Sequence, residues 1–426
     1  MRVARVDWDG RDPEEIAAGV RANATQPPGL VKRVAEIIAE VRERGDAALL
    51  DLTVHLDGVV ERPTTARIDP GRIEEARGSI HAELLDALEL AAANIRTAAE
   101  SAGAGGSAGV DLAAGQRVEV VERPVRAAGL YAPGGRAAYP SSVLMCAVPA
   151  RVAGVPRLVL ATPPEPDGRV GAVTLAAAAV SGIDEIYALG GAHAVAALAL
   201  GTESIDPVDV LVGPGNQWVT EAKRQLFGEV GIDGLAGPSE LAVVFDESAD
   251  PWRVTLDLLA QAEHGADSPL LAISPDSAAL DAVAERVTDA AAGRPSVADA
   301  PLALIATPSL DAALELADAV APEHLELRFE GADTEIAAAR VAGCVFVGEA
   351  AATAFGDYAA GSNHVLPTSG AARFGGPLDA RAFMRRTSVV SIDQAAAGAL
   401  APAVDVIARA EGLPVHGESA RAAGSE

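Results

Sequence analysis

Three short polar segments of the sequence carry residue types that could do acid–base or metal chemistry. The first is Gln261-Ala262-Glu263-His264-Gly265. If it is helical, Gln261 and His264 lie three residues apart and share a face, whereas Glu263 points elsewhere. Such a pair at a helix end, followed by glycine, suits metal ligation, although an isolated pair of this kind is more often structural.

The second segment places an acid directly beside an imidazole. In Pro322-Glu323-His324-Leu325 the two groups stand at the start of a β-like run, and both can move protons near neutral pH. A pair at such a boundary suits general acid–base catalysis. The alternative is a helix cap beside a half-buried histidine, which this segment taken alone favours.

The third segment, residues 356–367, is dense in loop formers and polar side chains, and such loops often carry function. Asp357 and His364 are far enough apart in it for a loop to fold them onto one site. Glu411 and His416 lie further on, in the tail, where exposure to solvent is the usual explanation for charged residues.

Four of these side chains offer only nitrogen and oxygen ligands: Gln261, His264, Asp357 and His416. Such a set suits Zn²⁺ or a similar divalent ion, with room for substrate atoms in an expanded shell. The sequence has no HExxH, P-loop or nucleophile-elbow pattern. Spacing alone therefore predicts a metal-dependent α/β enzyme and leaves its chemistry open.

The elements that must position these groups alternate between strand and helix from residue 128 onward. Short β-like runs are each followed by a Gly/Pro turn and an Ala-rich helical stretch, which implies parallel strands with helices on both faces. The runs fall at 129–132, 158–162, 185–189, 208–212, 241–246, 269–274, 302–306 and 343–347. Strand signals end beyond Pro377, and residues 393–410 predict one helix followed by a polar tail.

Two helical stretches precede this alternation, over residues 30–50 and 71–101, the first with apolar residues at helical spacing. The spelling GAGGSA at 103–108 has the form GxGxxA. No strand precedes it, so we do not predict a dinucleotide-binding fingerprint there. The fold class expected from the whole pattern is α/β, with two doubly wound parallel-sheet units and a helical C-terminal tail.

The charge balance excludes two classes of partner. The 426 residues contain 33 Lys plus Arg against 60 Asp plus Glu, a formal net charge of −27. Polyanions would be repelled, so we expect neither a nucleic acid nor a membrane surface as a partner. The charged start predicts no signal peptide, and hence a cytoplasmic protein. The acidic excess fits either a saline cytoplasm or a compositional bias of the genome.

Six motifs resemble those of histidinol dehydrogenases, in family order and over nearly the full chain. They are GLYAPGG (129–135), VGPGNQWVTEAKRQ (212–225), AGPSE (236–240), QAEHG (261–265), PEHLEL (322–327) and GDYAAGSNHVLPT (356–368). By this resemblance the chain is identified as a member of that family.

The resemblance implies a role for each matching residue. The implied zinc ligands are Gln261, His264, Asp357 and His416, and the implied acid–base pair is Glu323 and His324. These six residues also contact substrate, together with Ser239, His364 and Glu411. Cofactor contacts are Tyr131, Asn216 and His193. His193 stands where the family usually has Gln, and an imidazole differs from an amide in reach and charge.

The resemblance also implies the reaction and the assembly. L-Histidinol is oxidised to L-histidine through L-histidinaldehyde, with two NAD⁺ reduced in turn and one Zn²⁺ per subunit, as the last step of histidine biosynthesis. The implied fold has two incomplete Rossmann-like domains and a tail exchanged in a homodimer, so that Glu411 and His416 serve the other subunit's site.

We expect four segments: an arm over 1–25, a metal and substrate domain over 26–128 and 238–377, an inserted cofactor domain over 129–237, and the tail over 378–426. Three alternatives stay open. One is a paralogous zinc- and NAD-dependent dehydrogenase of another small amino or sulfonated alcohol. The others are a metal-dependent hydrolase, in which Glu323 activates a zinc-bound water, and a metal- or ligand-binding module.

Overall fold

The computed structural model describes residues 1–21, 27–134, 137–297 and 299–425. Within them the chain divides into two compact units. The first comprises Met1–Ala102 and Arg126–Ala382, and the second comprises Gly103–Val125 and Phe383–Glu426. Gly135, the last residue of the GLYAPGG motif, lies outside the described residues.

One parallel sheet of the first unit has six strands within the described ranges. They are β1 (Arg2–Asp7), β9 (Leu241–Phe245), β10 (Leu270–Ser274), β11 (Pro301–Ala306), β12 (His324–Arg328) and β13 (Cys344–Val347). Their order is β1-β11-β10-β9-β12-β13. Every residue of β9, β10 and β12 is buried, because a parallel sheet is covered by helices on both faces.

A second parallel sheet of the same unit has five strands in the described part of the chain. They are β4 (Ala127–Tyr131), β5 (Arg157–Thr162), β6 (Glu185–Ala188), β7 (Val210–Val212) and β8 (Gly231–Ile232), in the order β6-β5-β4-β7-β8. The expectation of two parallel α/β sheets is thereby confirmed.

Helices surround both sheets. Those of the first unit are α1 (Pro13–Arg21), α2 (Leu30–Arg44), α3 (Asp46–Leu56), α4 (Pro70–Ser79), α5 (Ala82–Ala102), α6 (Pro140–Val152), α7 (Ala172–Val180), α8 (Gly191–Leu200), α9 (Gln217–Leu226), α10 (Pro251–Ala262), α11 (Ser277–Ala291), α12 (Leu310–Val320), α13 (Thr334–Ala338) and α14 (Thr353–Tyr358). None of the described helices is long and apolar enough to span a membrane.

The packing of the N-terminal part differs from the expected division into domains. The apolar faces of α2 and α3 share one core with β4, β5 and α8 of the five-stranded sheet, whereas residues 26–128 were expected to belong with 238–377. The expected arm over 1–25 supplies β1, which pairs with β11 of the six-stranded sheet. A helical repeat shows that one face of a helix is apolar, but it does not show which sheet receives that face.

The second unit is an antiparallel sheet with two helices. Its elements are β2 (Gly106–Asp111), β3 (Arg117–Pro124), β14 (Met384–Ser391), α15 (Gln394–Ala410) and α16 (Pro414–Gly424), with strand order β14-β3-β2. The expectation that strands end beyond Pro377 is wrong, because β14 pairs with β3 over eight residues. Most residues of β14 are exposed, so its sequence shows no pattern of buried apolar residues that would predict a strand. The polar tail expected after residue 410 folds instead as α16.

Candidate active site

The predicted acid–base pair lies where β12 begins, beside the start of β9. His324 pairs with Leu241 in the parallel register of these strands. Glu323 and Glu240 directly precede these two strands and are therefore neighbours. The backbone N–H of His324 donates to the Glu240 carbonyl at 3.1 Å. The PEHLEL and AGPSE motifs thus meet at the N-terminal ends of two inner strands of the six-stranded sheet.

Glu323 is held through one carboxylate oxygen. Its Oε2 accepts hydrogen bonds from the Ser239 hydroxyl and, at 2.9 Å, from the backbone N–H of Glu240. No residue in the described ranges donates to Oε1. The side chain is 8 % exposed and lines a cavity. One oxygen therefore fixes the orientation of the carboxylate, and the other is left for a ligand or a water molecule.

The His324 ring has an oxygen atom on each side. Nδ1 lies 3.1 Å from the Glu240 carbonyl, which can only accept, so Nδ1 carries a hydrogen. Nε2 lies 3.5 Å from Oδ1 of Asp357. Burial by itself lowers the pKa of His324, but the charges of Glu323 and Asp357 raise it well above its usual value. Nε2 is consequently the nitrogen that can exchange a proton.

α14 and the loop after it bring Asp357 and His364 together, as the sequence predicts. Nδ1 of His364 donates to the backbone carbonyl of Asp357 at 2.9 Å, and Nε2 lies 3.2 Å from the Ser142 hydroxyl. Burial lowers the pKa of His364. The ring is therefore neutral at pH 7, with the Ser142 hydroxyl donating to Nε2.

Three of the four predicted zinc ligands belong to the first unit. Gln261, in the last turn of α10, is 2 % exposed and donates to the Ser239 hydroxyl. His264 follows the helix and lines the cavity beside Asp357. Burial raises the pKa of Asp357, but His324 above all, then His364 and His264, lower it overall. An amide, an imidazole and an ionised carboxylate therefore stand around this end of α10.

This donor chemistry fits zinc, which accepts nitrogen and oxygen ligands. In the part of the chain that the structure describes, no group of three or more His, Cys, Asp or Glu side chains could hold a metal ion. The predicted donors in the first unit are one histidine, one aspartate and an amide. The fourth predicted ligand, His416, lies on α16 in the second unit, and Glu411 follows α15 there. Both side chains are exposed.

The cavity in the first unit has a volume of about 360 Å³. The predicted site residues that line it are Ser239, His264, Glu323, His324, Asp357, His364 and Asn216. Gln261 lies behind Ser239. Acid–base, ligand and substrate-contact residues from four sequence motifs are therefore brought together around one space.

A second cavity, of about 670 Å³, adjoins the first at Pro133, Tyr139 and Asn216. Tyr131, a predicted cofactor contact, lines this second cavity, and its hydroxyl accepts the backbone N–H of Gly191 at 3.0 Å. Asn216 lines both cavities and caps α9 through Oδ1. Two of the three predicted cofactor contacts therefore face a space next to the acid–base pair.

His193, the third predicted cofactor contact, is fully buried in α8. Its Nε2 lies 3.1 Å from Oδ2 of Asp57, and it is Asp57 that lines the second cavity. The structure thus places a carboxylate between the imidazole and the cavity. Any effect of His193 on a ligand there passes through Asp57.

Sequence reasoning missed Glu240, Ser142 and Asp57. Glu240 lies in the AGPSE motif, and its carboxyl accepts the Ser369 N–H while burial raises its pKa to about 7. Ser142 and Asp57 give no comparable signal, because their histidine partners are 222 and 136 residues away. Only the folded chain shows that these residues support the site.

Comparison with known proteins agrees with the arrangement. The family model for histidinol dehydrogenase matches residues 21–423. A histidinol dehydrogenase of Zymomonas mobilis is 48 % identical over 393 residues, covering 91 % of this chain and 91 % of the relative. One of Ruegeria pomeroyi is 44 % identical over 425 residues, covering 97 % of each chain.

Among solved structures, the crystal structure of histidinol dehydrogenase from Elizabethkingia anophelis has a TM-score of 0.90 and 31 % sequence identity, covering 99 % of this chain and 98 % of its own. The likeness therefore extends over almost the whole of both proteins. This chain belongs to the histidinol dehydrogenase family of oxidoreductases.

Proposed function

We propose that this protein oxidises L-histidinol to L-histidine through L-histidinaldehyde, with Zn²⁺ bound and two NAD⁺ reduced, in histidine biosynthesis. The observation that carries the proposal is the single cavity that holds Glu323, His324, His264 and Asp357. Family membership supports the substrate, because the relatives are named for histidinol.

His324 is the proposed base for the alcohol step. Its Nδ1–H is committed to the Glu240 carbonyl, which fixes the ring. Because the pKa of His324 is raised, Nε2 must first lose its hydrogen, and it can then take the proton from the substrate hydroxyl. After releasing that proton to water, the same nitrogen can accept the second hydroxyl proton, when the hydrated aldehyde is oxidised. NAD⁺ would accept the hydride in each oxidation.

Glu323 is the proposed base for hydration of the aldehyde. Ser239 and the Glu240 N–H hold Oε2, so the carboxylate is preoriented and Oε1 can take a proton from water. Nδ1 of His324 lies 3.4 Å from the same Oε2, so the two proposed bases are direct neighbours.

Gln261, His264 and Asp357 would hold the zinc, together with His416 from a second subunit. When bound, the ion would supply a Lewis acid that fixes the imidazole and amine of the substrate. The protein itself holds these three donors close together, two of them where α10 ends and the third in the last turn of α14. Ser239 contributes by bonding the Gln261 amide nitrogen, which leaves the amide oxygen as the donor.

The C-terminal unit is the proposed source of the remaining contacts. Glu411 and His416 are exposed at the ends of helices in the second unit. An element exchanged between identical subunits of a two-fold dimer would place each tail at the other subunit's site.

The test is the stoichiometry of the reaction. Purified protein loaded with zinc is given limiting L-histidinol and excess NAD⁺, and NADH is followed by absorbance while histidine is measured in parallel. We expect two NADH and one histidine per histidinol. A paralogue acting on another alcohol would leave histidinol unconsumed, and a hydrolase would form no NADH. In the same assay, Glu323→Gln should form histidine more slowly. Glu247→Gln changes an exposed glutamate of the same unit, and as the matched control it should keep full activity.

A further inference from the structure

The second cavity contains a carboxylate that the acid–base chemistry does not use. Asp57 follows α3, its side chain is 7 % exposed, and it lines the cavity of about 670 Å³. It is absent from the lining of the smaller cavity that holds Glu323 and His324. Asp57 therefore serves a part of a ligand that lies away from the reacting atoms.

Two groups of α8 hold one oxygen of this carboxylate. Oδ2 accepts the backbone N–H of Gly190, which caps α8, and a hydrogen bond from Nε2 of His193, each at 3.1 Å. A helix N-terminus favours a negative charge. A Cβ at Gly190 would lie 2.3 Å from Oδ1 of Asp57, so a larger residue there would displace the carboxylate.

Nε2 of His193 is the ring nitrogen that faces Asp57, and a carboxylate oxygen that accepts from it places a hydrogen there. Nδ1 is buried with no hydrogen-bond partner in the described chain. The contact with Asp57 is therefore the one hydrogen bond of this ring among the described residues, which marks orientation of the carboxylate as its role.

The other oxygen, Oδ1, receives no hydrogen bond from the described residues. A buried carboxylate at a cavity wall, held through one oxygen and without a hydrogen bond at the other, can accept from a neutral hydroxyl donor. A phosphate at the same place would be repelled. The cation among the described lining residues, Arg33, is already paired with Glu36 at 3.1 Å.

We propose that Asp57 binds the 2′-hydroxyl of the adenosine ribose of NAD⁺, positioned by His193, and so makes this protein select NAD⁺ over NADP⁺. The inference rests on the proposed function. The nicotinamide must reach the cavity of His324, and the two cavities meet at Pro133, Tyr139 and Asn216. Asp57 is outside that junction, which places it with the adenosine end. A carboxylate on the ribose 2′-hydroxyl is a general device of NAD⁺ recognition.

The experiment compares NAD⁺, its analogue lacking the adenosine 2′-hydroxyl, and NADP⁺, with histidinol as substrate. For the unmodified protein we expect kcat/KM to fall about 10- to 100-fold without the hydroxyl, the range for a hydrogen bond to a charged group. In Asp57→Asn that preference should shrink to about threefold or less, use of NADP⁺ should rise relative to NAD⁺, and kcat at saturating NAD⁺ should stay near normal.

Three further variants separate positioning from folding. His193→Gln keeps a donor for Asp57 and should keep the preference, whereas His193→Leu removes the donor and should raise KM for NAD⁺ with little change in kcat. Asp69→Asn changes another aspartate of the same unit, which caps α4, and should change nothing.

Equal use of NAD⁺ and the 2′-deoxy analogue by the unmodified protein would overturn the inference without any variant. Retention of the full preference in Asp57→Asn would overturn it as well. Failure of the proposed function would give a different result, namely no NADH from histidinol and NAD⁺. That result would overturn the inference as well, because the inference rests on the proposed function.

Discussion

Glu326 and Thr353 are joined by two hydrogen bonds: Oε1 of Glu326 accepts the backbone N–H of Thr353 at 3.1 Å and its hydroxyl at 2.8 Å. Thr353 begins α14, whose own cap residue, Ala352, makes no side-chain hydrogen bond. Glu326 therefore caps a helix that belongs to another part of the chain. Asp357 lies one turn later on that helix, and His324 lies two residues before Glu326 on β12.

A buried guanidinium extends this connection to α10. Arg328 is 1 % exposed and donates to Glu326 at 2.7 Å and to Asp257. Asp257 is one helical turn before Gln261. The chain Asp257–Arg328–Glu326–Thr353 thus fixes α10, β12 and α14 relative to one another, and these are the elements that present Gln261, His324 and Asp357.

The first prediction concerns the Thr353 hydroxyl. Thr353→Val removes one bond to Glu326 and should lower the free energy of unfolding by about 1–2 kcal/mol, because Glu326 is a buried charged acceptor. Since α14 carries Asp357, zinc affinity measured by competition with a chelator should also fall. Thr53→Val removes a buried hydroxyl that bonds only its own helix. If both variants weaken zinc binding equally, the connection to α14 has no role in the site.

The second prediction concerns the pH dependence of stability. Burial, and then the charge of Glu326, raise the pKa of Asp257 to about 7, against about 3.9 in an unfolded chain. The folded state therefore binds a proton more tightly, and this stabilisation is complete below about pH 4 and lost as pH rises through about 7. The free energy of unfolding is measured with guanidinium at several pH values. As the pH rises from 5 to 8, the value for Asp257→Asn should increase relative to that of the unmodified protein. A difference that stays constant with pH would show that Asp257 is already ionised at pH 5.

The third prediction separates the two oxidations. Glu323→Gln should slow oxidation of supplied histidinaldehyde by about 10²- to 10⁴-fold, the usual effect of removing a general base. Reduction of the aldehyde back to histidinol by NADH requires no hydration, so it should be much less affected. Stopped-flow measurement of NADH in both directions gives the comparison. Equal losses would assign Glu323 a structural role only.

The fourth prediction is dependence on metal. Dialysis against a strong chelator should abolish turnover, and added Zn²⁺ should restore it. His264→Ala should weaken zinc binding severely, because the imidazole is a proposed ligand, whereas His81→Ala, at an exposed position of the same unit, should not. Full turnover by protein shown by elemental analysis to lack metal would contradict the zinc assignment.

The fifth prediction tests whether the tail acts on the other subunit. We expect Glu323→Gln and His416→Ala each to be inactive, and the two variants are unfolded together and refolded. If the tail serves the other subunit, a mixed dimer has one site with both defects and one with neither, and random pairing restores about a quarter of normal activity. If the tail serves its own subunit, every site keeps a defect. A mixture that stays inactive, beside a refolded unmodified control that recovers, contradicts the exchange.

The sequence predicted the sheets and helices wherever burial produces a regular pattern. β9 and β10 are apolar throughout, and α2 buries Val34, Ile37, Ile38 and Val41 at the predicted spacing. β1 and β14 were missed, because their residues are almost all exposed and their pairing comes from partners far along the chain.

The site could be predicted as far as its motifs reach. PEHLEL, AGPSE and GDYAAGSNHVLPT contain Glu323, Ser239 and Asp357, and the structure brings them to one cavity. Residues that act through distant contacts, such as Arg328 and Asp57, have no local pattern. The position of His193 could be predicted from the motif around it, but only the structure shows that its donor is used by a carboxylate.

The pairing of β1 with β11 constrains the order in which the chain can fold. Arg2 lies opposite Pro301, so about 300 residues separate the partners, and closing so long a loop carries an entropic cost. During synthesis, at about 5–20 residues per second, β1 leaves the ribosome at least about 15 seconds before β11. Until β1 arrives, β11 is an open sheet edge of the kind that promotes aggregation. Arg2–Asp7 thus wait for native partners that are synthesised about 300 residues after them.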